Sequence, residues 1–227
     1  MIISDVDKKY NDLVVFEKLN LTIKDHEITA ILGPSGCGKT TLLNIISKTT
    51  DYSGTIEGND GKISYLFQSQ RLLSNLTVKK NIEYVLRSYL DKQEREKVTN
   101  DILKKVELTE FANYYPSQLS GGMAQRVSIA RAFAYDSDIM LMDEPFKGLD
   151  ISLKKKIIGV FLRLYKSDKK TTLFVTHDID DALIMANRII VLSSDGKIVL
   201  DETINEPFDE RDVGMYGDLR AKIYQAI

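Results

Sequence analysis

One glycine-rich stretch, Gly33-Pro34-Ser35-Gly36-Cys37-Gly38-Lys39-Thr40, constrains this 227-residue chain most strongly. Its spacing of glycine, four residues, glycine, lysine and threonine is typical of a phosphate-binding loop. The apolar run 28–32 before it predicts a buried strand, and 41–46 after it has apolar residues at helical spacing. Strand, glycine turn and helix in this order surround an anion with backbone N–H groups and a helix N-terminus. The stretch therefore predicts nucleotide binding, and the alternative is an ordinary glycine-rich turn between strand and helix.

Two side chains of this loop have chemistry of their own. Lys39 would add positive charge beside the β- and γ-phosphates, and the Thr40 hydroxyl would reach a bound Mg²⁺. Cys37 lies beside a lysine and a helix N-terminus, which favours a reactive thiolate that bound nucleotide protects from alkylation. The candidate nucleotide-binding residues are Gly33, Pro34, Ser35, Gly36, Cys37, Gly38, Lys39, Thr40 and Thr41.

Composition excludes several classes of protein. The chain has 43% hydrophobic and 28% charged residues, as an ordinary globular protein does, and its net charge of −2 gives no electrostatic footprint for nucleic acid. No apolar run approaches the roughly 20 residues that span a bilayer. One cysteine excludes an internal disulfide framework, and two distant histidines leave no zinc pattern. We expect a cytoplasmic protein whose membrane role, if it has one, comes through a partner.

The order of predicted elements indicates an α/β fold. Short strands and turns fill residues 1–32, and helices dominate about 71–135, where Thr77 is a candidate helix cap. Strands then alternate with helices to about residue 200, with strands expected at 171–175 and 188–192 and a short helix at the end of the chain. Such alternation predicts a mostly parallel sheet that is covered on both faces. We expect one domain over residues 1–227, with the helical segment of about 71–135 inserted into it.

An acidic pair ends one of the predicted buried strands. Asp143 and Glu144 follow the apolar run 139–142, at the sheet edge where parallel α/β folds bind ligands. One carboxylate there can hold Mg²⁺ opposite Thr40, and the other can accept a hydrogen bond from an attacking water. The alternative is a solvated acidic pair that opens a loop before Pro145. Given the phosphate-binding loop upstream, the pair predicts nucleotide hydrolysis.

A second glycine-rich loop, Leu119-Ser120-Gly121-Gly122-Met123, precedes another predicted helix and can also offer N–H groups to an anion. Together with the following residues 125–132 it resembles the ATP-binding cassette family, whose signature is Leu-Ser-Gly-Gly-Gln. The resemblance covers nearly the whole chain. It implies ATP and Mg²⁺ as ligands and a P-loop NTPase-type sheet with an antiparallel N-terminal β subdomain and an inserted helical subdomain. It also implies a head-to-tail dimer in which Ser120, Gly121 and Gly122 close over the γ-phosphate held by the other subunit.

The same resemblance gives roles to four further positions. Tyr10 matches an aromatic residue that stacks on adenine, and Gln68 matches a glutamine that senses Mg²⁺ and faces the transmembrane partner. Asp150 matches an aspartate that crosses the dimer interface, and His177 matches a histidine that contacts the γ-phosphate and orients Glu144. Taken singly, a turn tyrosine and a histidine after a strand would be ordinary surface and loop residues.

The chain departs from the family pattern at three places. Met123 replaces the signature glutamine, Lys147 replaces a small residue before the aspartate loop, and His26 stands where glycine is common. None of these changes removes a group needed for hydrolysis. Separately, the basic stretch 154–170 is typical of a solvated helix face, with contact to anionic lipid as the alternative.

The resemblance implies an ATPase subunit that drives a separate transmembrane permease from the inner face of the membrane. The segments 119–126, 143–150 and 70–78 resemble bacterial importer subunits of the nitrate, sulfonate and taurine group, which also need an external solute-binding protein. The alternatives are an export or lipoprotein-release ATPase and a cassette ATPase without transport. Long coiled coils between the two motifs mark one non-transport class, whereas Lys39 and Asp143 are only about a hundred residues apart. The sequence does not indicate which solute is carried. It also does not indicate whether the second ATPase subunit is identical or merely related.

Overall fold

The computed structural model describes residues 1–227, which fall into two compact units. The first unit comprises residues 1–63, 139–145 and 170–227, and the second comprises 64–138 and 146–169. The segment predicted as a helical insertion, about 71–135, lies within the second unit, which also takes in residues 146–169. That the whole chain forms a single nucleotide-binding domain stays a prediction.

The chain forms nine strands and seven α-helices. The strands are β1 (Ile2–Tyr10), β2 (Leu13–Thr22), β3 (Ile28–Leu32), β4 (Ser53–Glu57), β5 (Ile63–Leu66), β6 (Ile139–Asp143), β7 (Thr171–Val175), β8 (Arg188–Leu192) and β9 (Ile198–Thr203). The helices are α1 (Lys39–Ile46), α2 (Val78–Leu86), α3 (Lys92–Lys105), α4 (Gly121–Ala134), α5 (Ile151–Ser167), α6 (Ile179–Met185) and α7 (Gly217–Ala226).

The first unit is built on a mostly parallel sheet. Its strands lie in the order β6-β7-β3-β8-β9, and every neighbouring pair is parallel except β8 with β9. All five residues of β3 and of β7 are buried, which explains why their sequences are apolar or β-branched throughout. Parallel strands bring their carboxyl ends to one edge, so the loops that follow β3, β6 and β7 meet there. The predicted α/β fold class is confirmed.

A second, antiparallel sheet in the first unit has the order β2-β1-β4. The sequence predicted several short strands in residues 1–32, but the structure has two long ones of nine and ten residues before β3. Register irregularities between Ile3 and Lys9 bend β1 where it pairs with β2. The turns lie between the strands, at residues 11–12 before β2 and at 25–26 before β3.

The second unit is helical, and four of its helices begin at a side-chain cap. In each case the cap side chain accepts a hydrogen bond from a backbone N–H in the first turn. The caps are Thr77 for α2, Asp91 for α3, Ser120 for α4 and Asp150 for α5. The prediction of Thr77 as a cap is confirmed. The second glycine-rich loop was expected to precede α4, but this helix already begins inside it, at Gly121. Capping by Ser120 allows this earlier start.

None of the α-helices combines the length and the apolar composition that a membrane-spanning segment requires. The predicted helix at the end of the chain is present as α7, whose Ile223 is fully buried.

Candidate functional site

The predicted phosphate-binding loop joins β3 to α1 in the first unit. Gly33, Gly36 and Gly38 have φ values of +148°, +86° and +101°, which residues with a Cβ atom rarely adopt. A Cβ on Gly33 would lie 2.5 Å from the carbonyl oxygen of Leu192, and one on Gly38 would lie 2.7 Å from the Phe16 ring. Both the backbone conformation and the neighbouring atoms therefore require glycine. The loop ends at the N-terminus of α1, where backbone N–H groups have no partner within the helix.

The ammonium group of Lys39 lies inside this loop. Its Nζ donates hydrogen bonds to the carbonyl oxygens of Gly33, at 2.7 Å, and Pro34, at 2.8 Å, and is 3.9 Å from the sulfur of Cys37. These contacts keep a positive charge at the centre of the loop. Cys37 is only 2% exposed, so an alkylating reagent has little access to it, contrary to the expected reactivity. Ser35, Gly36 and Thr40 are exposed, and Thr41 is half-buried.

Two oxygen-bearing side chains, Thr40 and Asp143, lie together at the start of α1. The Thr40 hydroxyl lies 3.3 Å and 3.2 Å from the two carboxylate oxygens of Asp143. Thr40 is in the first turn of α1 and Asp143 is the last residue of β6, so the parallel sheet brings together residues that are 103 positions apart. Hydroxyl and carboxylate oxygens are the ligands that Mg²⁺ prefers in proteins.

The adjacent carboxylate belongs to Glu144 and is bound to a histidine. Nδ1 of His177 lies 2.9 Å from Oε1 and 2.7 Å from Oε2 of Glu144. Glu144 has a left-handed φ of +47°, and its N–H donates to the carbonyl oxygen of Val175 at 3.0 Å. Its side chain is 14% exposed, whereas that of His177 is 59% exposed. A mostly buried carboxylate is thus held in one orientation by a histidine that solvent can reach, as a positioned hydrogen-bond acceptor requires.

Tyr10 is the remaining residue of the first unit that was predicted to belong to the site. It ends β1 and is 43% exposed. A ring with this exposure has a face available for stacking against a planar group. The neighbouring strand β2 supplies Phe16 and Val15, which contact the position of Gly38. The sheet that carries Tyr10 therefore also packs against the phosphate-binding loop.

The remaining predicted residues belong to the second unit. Gln68 follows β5 and is exposed. Ser120 is the exposed cap of α4, Gly121 is exposed in its first turn, and Gly122 is buried. Asp150 is the exposed cap of α5 and accepts a hydrogen bond from the N–H of Leu153 at 3.0 Å. Both helix starts thus present accessible surface, as contacts with a second molecule require.

Sequence reasoning missed residues that shape the site without matching a motif. Phe16 and Leu192 close around the phosphate-binding loop, and Lys8 contacts the ring of Tyr10. The period-two alternation of β1 places Lys8 on the same face as the buried Val6, which was a usable signal. The contacts of Phe16 and Leu192 connect positions far apart in sequence, and no local pattern indicates them.

Comparison with known proteins places these features in a family. The family described as ABC transporter matches residues 16–147. The aliphatic sulfonates import ATP-binding protein SsuB 2 of Pseudomonas syringae pv. tomato is 38% identical, over 91% of this chain and 90% of that protein. A probable sulfate/thiosulfate import ATP-binding protein of Chlorella vulgaris, CysA, is 35% identical, over 88% and 89% of the two chains.

Solved structures give the same result. The dimeric structure of MJ0796, described as a bacterial ABC transporter cassette, is similar with a TM-score of 0.77 and 36% sequence identity, covering 91% of this chain and 99% of that one. A dimeric structure of the same cassette in a post-hydrolysis state, bound to ADP and Pi, gives a TM-score of 0.76.

Proposed function

Because the chain belongs to the ABC transporter family, as an ATPase subunit, we propose that it powers an importer of a small solute through a separate transmembrane permease. One observation supports ATP hydrolysis by this chain: one edge of the first-unit sheet carries five side chains with the required chemistry. They are Lys39, Thr40, Asp143, Glu144 and His177. The import direction is supported by the relatives, which are named as import ATP-binding proteins for sulfonates and for sulfate or thiosulfate.

The phosphate-binding loop accounts for ATP binding. Backbone N–H groups and the N-terminus of α1 face the negative charge of the phosphates, and Lys39 neutralises part of it. Tyr10 stacks on the adenine. Mg²⁺ fits beside the phosphates, because Thr40 and Asp143 offer oxygen ligands there and Mg²⁺ usually takes few protein ligands besides phosphates and water. When bound, Mg²⁺ offsets the charge that develops on the phosphate oxygens. A role of Gln68 in sensing the metal stays a prediction.

Hydrolysis requires a water in line with the γ-phosphate. Glu144 accepts a hydrogen bond from this water, and the contact from His177 Nδ1 fixes the orientation of the carboxylate. The water oxygen then bonds to the γ-phosphorus while the bond to the bridging oxygen of ADP breaks, which releases ADP and phosphate. The left-handed backbone at Glu144 is the kind of local strain that functional sites retain.

Two copies of the chain, or one copy and a related subunit, complete the catalytic sites. The start of α4, where Ser120 and Gly121 are exposed and Gly122 is buried, contributes N–H groups to the γ-phosphate held by the other subunit. Asp150 lies at the same dimer interface. The dimeric arrangement of the structurally similar cassette supports this step. The dimer acts at the inner face of the membrane, where its closure drives the permease, and an external solute-binding protein delivers the cargo.

Glu144→Gln tests this proposal. The amide keeps the size of the side chain but is a poor acceptor for the proton of the attacking water, so we expect ATP binding to persist while hydrolysis falls at least about a hundredfold. The variant should accumulate as a dimer in Mg-ATP by size-exclusion chromatography with light scattering. Glu110→Gln, on an exposed turn, is the matched control and should behave as the wild type. A Glu144→Gln protein that hydrolyses ATP normally, or stays monomeric in Mg-ATP, contradicts the proposed role.

The import direction needs a separate experiment. Deleting the gene should abolish uptake of one solute without affecting release of any, and aliphatic sulfonates and sulfate are the first cargoes to assay. Retained uptake together with a defect in export would contradict the importer proposal and leave the ATPase assignment intact.

A further inference from the structure

Lys8 is a buried lysine that no recognised motif includes. It lies on β1 and is 4% exposed. Its Nζ donates to Thr50 Oγ1 at 2.9 Å, to the carbonyl oxygen of Asp51 at 2.7 Å and to the Asp51 carboxylate at 3.1 Å. These acceptors match the three donors of an ammonium group, so its burial is compensated. The hydrogen bond from Lys8 also lowers the pKa of the Asp51 carboxyl below its ordinary value.

The same ammonium group lies over the ring of Tyr10. Its Nζ is 4.5 Å from the ring centroid, within the distance at which a cation attracts an aromatic face. The Tyr10 residue is 43% exposed. Lys8 is therefore the contact that holds this exposed ring on one face, which leaves the other face for a planar ligand.

Lys8 also connects this ring to the helix of the phosphate-binding loop. Its partners Thr50 and Asp51 follow α1, which begins at Lys39 in the loop itself. One end of α1 thus lies at the phosphate site, and the segment after its other end is hydrogen-bonded to Lys8. ATP contacts both sites at once, so its affinity depends on the position of the ring relative to the loop.

We propose that Lys8 is a positioning residue for base recognition: it fixes the Tyr10 ring, through a cation–π contact and its anchor at Thr50 and Asp51, at the place where the adenine stacks. This inference rests on the proposed role of Tyr10. It assigns to Lys8 an effect on the part of the affinity that comes from the base, and none on the part that comes from the phosphates.

The test compares a ligand that has a base with one that lacks it. Dissociation constants of ATP and of inorganic tripolyphosphate are measured by titration calorimetry for the full chain and for Lys8→Met, which keeps the length of the side chain. We expect ATP to bind about three- to thirtyfold more weakly and tripolyphosphate to bind unchanged, from the usual strength of such contacts. Lys9→Met, at the exposed neighbouring position, is the matched control and should change neither constant. Equal weakening of both ligands, or no change for ATP, overturns the proposal.

Two further variants keep the result interpretable. Asp51→Ala removes an anchor at a fully exposed side chain, so it should fold even if Lys8→Met does not, and it should weaken ATP but not tripolyphosphate. Adding Lys8→Met to Tyr10→Ala should cause no further loss, because Lys8 acts through the ring. If Tyr10→Ala alone leaves ATP affinity unchanged, the stacking role and the Lys8 inference both fail. If Tyr10→Ala weakens ATP but Asp51→Ala and Lys8→Met do not, only the Lys8 inference fails.

Discussion

Gly122, in the first turn of α4, is packed against a side chain of α5. A Cβ added at Gly122 would lie 2.6 Å from Cδ1, 2.9 Å from Cδ2 and 3.2 Å from Cγ of Leu153. Carbon atoms prefer separations of about 3.5–4.0 Å, so Gly122→Ala would displace the Leu153 side chain by roughly 1 Å. A Cβ at the neighbouring Gly121 would meet no atom within 4 Å. The two glycines therefore differ in packing although both belong to the same predicted signature loop.

The difference between the two alanine variants gives the size of the effect. Alanine raises the helix propensity at both positions, which is worth up to about 1 kcal/mol, and this gain is largely common to the two. Overpacking costs about 1–3 kcal/mol, and Leu153 is half-buried and can partly move aside, which favours the lower end of this range. We expect Gly122→Ala to be less stable than Gly121→Ala by about 1–2 kcal/mol, or about 2–8 °C in Tm for a chain of this size.

Urea unfolding followed by circular dichroism measures this difference, with Leu153→Ala as the background that removes the clash. In that background Gly121→Ala and Gly122→Ala should be equally stable. Both variants should lose ATPase activity, because both glycines are proposed to contact the γ-phosphate in the other subunit. Equal stabilities in the native background, or a deficit that persists in Leu153→Ala, would refute the packing argument. A fully active Gly121→Ala would refute the proposed contact instead.

Two other substitutions probe strain and charge. Glu107 has a left-handed φ of +58°, and its carboxylate forms ion pairs with Arg163 at 2.9 Å and Arg126 at 3.6 Å. Glu107→Gly and Glu107→Ala both lose these pairs, but only glycine relieves the backbone, so the glycine variant should be more stable by about 1 kcal/mol in thermal unfolding, and identical Tm values would show no strain there. The hydrogen bond from Arg188 holds the pKa of the Asp201 carboxyl below its ordinary value of 3.8, so its stabilisation is present above that pH and is lost as the pH falls through the folded-state value. Asp201→Asn should therefore be less stable than the wild type at pH 7 and approach it below about pH 3.8 in urea unfolding, and a gap that stays constant with pH would exclude this ion pair as the cause.

Short-range patterns in the sequence determined much of this protein. The phosphate-binding loop, the strands around it and the cap at Thr77 each depend on residues a few positions apart. Apolar runs bounded by turn residues predicted β7 and β8 with the bounds that the structure has. These features are local because a helix cap, a glycine turn or a buried strand is stabilised largely within its own segment. Resemblance to a family then supplied the roles of residues that local patterns do not explain.

No local pattern of residues determines which distant side chains touch, and these contacts come from the tertiary structure. The contact of His177 with Glu144 and that of Lys8 with Asp51 join positions 33 and 43 residues apart, and each depends on strand order. The long strands β1 and β2 and the burial of Cys37 also followed from packing, which composition does not reveal. The glycine loop by itself predicted a phosphate site, because its geometry depends on residues that are neighbours in the sequence. The placement of a carboxylate, a histidine and an aromatic ring around it required the fold, since such contacts form only when separate strands are brought side by side.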